Sequence, residues 1–232
     1  MDPRGGNRGG GEILNFTFLE KYYGYFLSGA EITIVLAFFA VLFGTIMGLG
    51  LTLLRRSKFK ILRMIGTVYV EFVRGTPLLV QIYIIYIGLP KLLGIDLSDI
   101  TTGAIALALN SSAYVSEIIR AGIEAVDKGQ MEAARSLGMN QKTAMFNIII
   151  PQAFKNILPA LGNEFISVIK ESSMVSVIGV AELMYNANTV KGNTALGLEP
   201  VIVAAVVYFI ITFTLTRALA YVERRMKVSD IR

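Results

Sequence analysis

A carboxylate beside an amide and a hydroxyl can hold a cation, and Glu164 has that company. Asn163 precedes it and Ser167 lies three residues on, on the same face of any helix that carries both. Glu71 is a second carboxylate inside an otherwise apolar stretch. A charge at bilayer depth costs several kcal/mol, so each such residue needs a reason to be there. Glu71 has one at hand in Arg74, three residues on. Glu164 has no cation three or four residues away in either direction and favours a ligand role. Lys170 and Glu171 can pair with other helices, while Glu117, Arg120 and Glu124 form either a solvated or a gating cluster. The chemistry on offer is binding rather than bond-making. The chain has no cysteine and no histidine, which removes thiolate chemistry, Ser-His catalysis and the commonest zinc sites.

The elements that hold these residues are apolar. The chain is 54% hydrophobic and only 17% charged, a balance that a soluble domain has no interior large enough to hide. The net charge of +5 does not mark a nucleic-acid binder, because the basic residues flank apolar runs, where membrane topology accounts for them. A helix crosses a bilayer in about 20 residues. Five stretches qualify: 32–54; 61–89, broken at Gly75-Thr76-Pro77; 100–123; 156–181; and 200–222. Gly44, Gly48 and Gly50 in the first would let another helix approach. Glu71 and Glu164 each fall about nine or ten residues in from the basic end of their stretch, near mid-membrane at 1.5 Å per residue, the depth of transporter substrate sites.

The loops set the orientation. Arg55, Arg56, Lys58, Lys60 and Arg63 follow the first stretch, Lys128, Arg135, Lys142 and Lys155 the third, and Arg224, Arg225 and Lys227 the fifth. The positive-inside bias puts these in the cytoplasm, with the N-terminus outside and the C-terminus inside. Tyr22, Tyr23, Tyr25 and Phe26 suit the outer interface. Residues 1–11, Met-Asp-Pro-Arg-Gly-Gly-Asn-Arg-Gly-Gly-Gly, read as a flexible tail or an expression leftover. The expected organisation is an all-α membrane protein: a tail and outer interfacial segment over 1–29, one transmembrane domain over 30–225, and a cytoplasmic tail over 226–232.

Residues 125–154 are too polar to cross and too patterned to be a linker. Glu132 to Leu137 favour helix, Gly138 permits a turn, and a second amphipathic helix runs to a stop at Pro151. This is either a surface loop resting on the membrane or a docking element whose Ala133 and Ala134 fit a partner's groove. No Gly-x-x-x-x-Gly-Lys-Ser/Thr phosphate loop occurs in the chain.

Here the sequence resembles a known family. The permease subunits of ATP-binding-cassette importers carry Glu-Ala-Ala, three residues, Gly, nine residues, Ile, one residue, Leu-Pro. This chain has Glu132-Ala133-Ala134, Gly138, Ile148 and Ile150-Pro151, with isoleucine in place of leucine. The stretches Glu71 to Gln81, Ala113 to Arg120, Lys128 to Gln130, Asn163 to Ile166 and Lys170 to Ser173 resemble the polar amino-acid branch, so the likeness runs from Ile32 to Arg225. The resemblance implies a permease in a bacterial cytoplasmic (inner) membrane. Residues 125–154 would be its coupling segment, fitting a groove on a separate ATPase subunit that holds the ATP and Mg. It also implies a second permease copy, a homodimer being favoured, and an extracytoplasmic amino-acid-binding protein, with no nucleic-acid partner and no cofactor in this chain. The substrate expected is a polar amino acid, with a cationic one (arginine or lysine) slightly favoured over a neutral one such as glutamine. An ion channel and an intramembrane enzyme are the competing readings. The channel lacks a filter beyond Gly75-Thr76-Pro77, and the polar residues suit catalysis poorly.

Overall fold

The computed structural model describes residues 14–228, and every regular element among them is a helix. Residues 1–11 and 229–232, taken as tails above, lie outside the described residues. Helix α1 spans Leu19–Arg55. It begins 13 residues before the apolar stretch expected from sequence, because Tyr22, Tyr23, Tyr25 and Phe26 continue the same helix. Helices α2 (Lys60–Gly75) and α3 (Leu78–Leu93) meet at a bend of 114°. The bend falls where Pro77 removes a backbone donor and forces Thr76 into an extended conformation, φ −119° and ψ 149°. Gln81 repairs the break. Its Nε2 donates to the carbonyls of Val73 (2.7 Å) and Thr76 (3.1 Å), which the end of α2 leaves without helical partners. Asn110 of α4 (Asp99–Glu124) donates to Gln81 Oε1 at 2.8 Å and ties the bend to the bundle.

Helices α1 and α4 form the central pair. An added Cβ on Gly44 would lie 2.9 Å from Ser111 Cβ, and one on Gly48 would lie 2.8 Å from Val115 Cγ1. These two glycines, one turn apart, are where the helices touch. Gly50, expected to share this role, faces open space, since two further residues rotate it off that face. Farther along, Thr52 donates to Ser116 O at 3.2 Å and Arg55 reaches Glu117. The contacts rise together in both helices, so α1 and α4 run parallel. The α2–α3 pair therefore carries the chain back along the bundle, from the Arg55 end to the Asp99 end.

Beyond α4 lie α5 (Lys128–Ser136), α6 (Gln141–Ala144), a π-helical turn (Met145–Ile149) and α7 (Ile150–Glu171). The sequence pattern placed a stop at Pro151, but the helix continues through it. The wide turn just before the proline relieves the clash and the missing donor that would end a regular α-helix. Helix α7 runs antiparallel to α4: Ile157 lies against Gly122, and Glu164 bonds Ser111. It ends at Glu171, ten residues short of the expected 181. A 3₁₀ turn (Ser172–Ile178) follows and closes at Gly179, whose φ is 94°. Then come α8 (Leu183–Thr194) and α9 (Glu199–Val228). Tyr208 of α9 reaches Glu182 and Leu219 packs on Gly162, so α9 points the same way as α1.

Among the described residues two helices, α1 and α9, are long and apolar enough to cross a membrane, and three if the bent pair counts as one. Helices α4 and α7 have the length, about 39 and 33 Å, but are more polar. Their polar residues point inward: Thr102, Asn110, Ser111, Ser112, Ser116 and Glu164 are buried. The outer surface is apolar instead, with Phe38, Phe43, Ile46, Phe209 and Ile210 exposed. The interior joins Leu36, Ala37 and Ala40 of α1 to Ile82 of α3, Leu107 of α4 and Val168 and Ile169 of α7.

Candidate functional site

Glu164 lies at the junction of α1, α4 and α7. It is 9% exposed, and its Oε1 accepts one hydrogen bond, from Ser111 Oγ at 2.8 Å. Ser111 is the residue that Gly44 makes room for on α1. No cation forms an ion pair with Glu164 among the described residues. A carboxylate with one hydrogen bond and no counter-ion keeps most of its acceptor capacity for something else. Ser167 is half-buried on the same helix, and Asn163 is exposed beside it. Glu71 is exposed on α2 and makes neither a hydrogen bond nor an ion pair with Glu164. Of the four sequence candidates, Glu164 is bonded to Ser111, Asn163 and Ser167 lie beside it on α7, and Glu71 makes no bond to it. Ser111 was missed by sequence reasoning. Its signal was the polar run Asn110-Ser111-Ser112 in the middle of an apolar stretch.

A second buried carboxylate, Glu182, shows what a satisfied one looks like. It is fully buried and caps α8, accepting from Met184 N (2.9 Å), Tyr185 N (2.8 Å) and Tyr208 Oη (2.6 Å). Thr33 of α1 donates to it as well, at 3.5 Å, so three helices share it, its acceptors are filled and its work is structural. Sequence reading passed over it because a capping glutamate outside a regular helix carries no periodic signal.

The charges near the other end of α4 form a network. Glu117 accepts from Arg55 Nη1 (3.0 Å) and Arg120 Nε (3.0 Å), and Arg74 Nη1 lies 3.8 Å away. Arg120 also pairs with Glu124 at 2.5 Å. Arg74 therefore answers Glu117 rather than Glu71, because it also sits over the Tyr114 ring, 5.8 Å from its centroid. Lys170 and Glu171 enter no ion pair among the described residues.

Residues 125–154 fold as helix, turn and helix. Asp127 caps α5 through Gly129 N at 2.6 Å. Gly138 has φ 87°, and Met139 N and Gly138 N return to the carbonyls of Ala134 (3.1 Å) and Arg135 (3.0 Å). This is the paired closure that a left-handed residue permits at a helix end. Ala134 is buried against its own chain, while Glu132, Ala133 and Gly138 face outward and Ile148 is half-buried. Leu137, 84% exposed, and Phe146, 67% exposed, supply apolar area that the alanines alone did not suggest. Val126, Ile149 and Ala153 anchor the unit to the bundle.

With this geometry in place, likeness to known proteins becomes informative. Residues 40–228 match the family described as "Binding-protein-dependent transport system inner membrane component". The chain is 42% identical to the arginine transport system permease protein ArtQ of Bacillus subtilis, over 94% of this chain and 99% of that one. It is 41% identical to a putative glutamine transport system permease protein GlnP of Rickettsia conorii, over 92% and 100%. A crystal structure of an amino acid ABC transporter with histidines superposes with TM-score 0.88 at 50% identity, covering 92% of this chain and all of that one. The chain belongs to the binding-protein-dependent transport system inner membrane components, among the permease subunits of amino-acid ABC importers.

Proposed function

We propose that this inner-membrane permease conducts a polar amino acid past Glu164, with arginine or lysine favoured and glutamine the alternative. The carrying observation is the carboxylate itself: buried at the meeting of three helices, held by one hydrogen bond, and without a counter-ion. A cationic side chain or the α-ammonium of any amino acid would complete it, with Ser167 and Asn163 beside it. The relatives named for arginine and for glutamine keep both substrates open. A permease of this family is the non-catalytic subunit. ATP and Mg act on a separate ATPase, and a binding protein delivers the substrate. In this reading α5 and the Gly138 turn dock on that ATPase, through Glu132, Ala133 and the exposed Leu137. A second copy of this chain completes the path, a homodimer being favoured.

Five membrane crossings fit the proposal: α1, the bent α2–α3 pair, α4, α7 and α9. Helices of 16 residues reach about 24 Å, short of a bilayer, so α2 and α3 share one crossing. The arginine-rich end is cytoplasmic and the start of α1 lies outside. The test of the site is Glu164→Gln in reconstituted complexes with the binding protein and ATPase present. A lost charge-assisted hydrogen bond is worth about 1.5–3 kcal/mol, so uptake affinity should fall roughly tenfold to a hundredfold while ATP hydrolysis persists. Selective loss of arginine and lysine uptake identifies the side chain as the ligand. Equal loss for all substrates identifies the α-ammonium, and unchanged uptake of every substrate removes Glu164 from the site.

A further inference from the structure

A pocket of about 260 Å³ opens at the arginine-rich end of the bundle, between the end of α1, the start of α2 and the end of α4. Arg55, Arg56, Arg63 and Arg120 line it with Glu124, and Thr52 and Thr67 stand one turn deeper. The charges are not balanced. Glu117 and Glu124 answer Arg55 and Arg120. Arg56 and Arg63 have no acidic partner among the described residues. Two unanswered guanidinium groups in one concavity suit an anion with several oxygens, which their planar donor sets grip in pairs.

The surroundings select the source of that anion. Leu53, Phe59 and Ile61 are 65%, 72% and 68% exposed, beside Arg56, Lys58 and Lys60. Large apolar side chains alternating with cations along the α1–α2 turn match a bilayer interface, apolar below and anionic above. We infer that this pocket binds the phosphate of an anionic phospholipid in the inner leaflet, with Arg56 and Arg63 as its principal contacts. The acyl chains would lie along the exposed apolar side chains, and the neighbouring Glu117 network would keep Arg55 and Arg120 in place as the pocket wall. The inference rests on the cytoplasmic placement of this end proposed above.

The test uses the whole transporter, permease copies with their ATPase, in nanodiscs of phosphatidylcholine with phosphatidylglycerol. Phosphatidylglycerol that stays with the complex after detergent extraction is measured by mass spectrometry. At about 1 kcal/mol per cation, R56Q/R63Q should hold it roughly thirty-fold more weakly, and R56K/R63K should keep most of the retention. Equal retention by wild type and R56Q/R63Q overturns the site. Displacement of the lipid by inorganic phosphate alone makes it a free-phosphate site and overturns the lipid assignment. Loss of the ATPase subunit from R56Q/R63Q with retention intact assigns the arginines to the protein partner and overturns it equally. Lys58→Cys labelled only from outside would instead sink the topology, a result that retention does not depend on.

Discussion

At the scale of single residues, the proposed site depends on a missing atom. Gly44 has no side chain, so Ser111 can stand between α1 and α7 and donate to Glu164. A Cβ on residue 44 would lie 2.9 Å from Ser111 Cβ and 3.0 Å from its Oγ, distances that force Ser111 or the helix to move. Gly44→Ala should cost about 1–3 kcal/mol, as overpacking does elsewhere, and should lower uptake affinity by displacing the donor. Thermal unfolding of the detergent-solubilised complex and uptake assays in reconstituted complexes check both parts. Gly50→Ala, whose added atom meets nothing, is the matched control and should leave uptake unchanged without lowering stability. Wild-type behaviour from Gly44→Ala would show that Glu164 does not need Ser111.

Whole elements are governed by how they end. Proline terminates at Pro77 and not at Pro151, and the neighbours explain the difference. At Pro77 the chain turns by 114°, and Gln81 takes up the exposed carbonyls. At Pro151 a π-helical turn absorbs the missing donor and the helix goes on. Gly138 ends α5 in a left-handed turn that a β-branched residue cannot adopt without strain of about 1–2 kcal/mol or more. Gly138→Val should leave the rest of the bundle intact, since nothing packs on that position. It should reduce co-purification of the ATPase subunit several-fold. Undiminished co-purification together with undiminished transport would exclude residues 125–154 as the docking segment.

In the molecule as a whole, the direction in which each helix runs sets the topology. Parallel α1 and α4 require one net return between them, made by a pair of helices neither of which is long enough alone. The five-crossing proposal follows from that return. In the cysteine-free chain, Lys58→Cys should react with an impermeant thiol reagent only from the cytoplasmic side. Asn193→Cys, at an exposed position near the end of α8, should react only from outside. Reaction from the opposite side at either position would reverse or break the topology.

The sequence by itself determined the class of protein, the arginine-rich end, the break near Pro77, the turn at Gly138 and Glu164 as the carboxylate without a local cation. Each is carried by neighbours within a turn or two, or by composition, and needs no knowledge of packing. Tertiary structure alone decided the partners. Ser111 bonds Glu164 across 53 positions, Asn110 bonds Gln81 across 29, and Arg74 turns to Glu117 and away from Glu71. It also decided which glycines matter, bringing Gly44 and Gly48 against α4 and leaving Gly50 open. A residue's type states what it can bond to. Only the packing of helices distant in sequence brings a particular partner within 3 Å, and local periodicity carries no record of that distance.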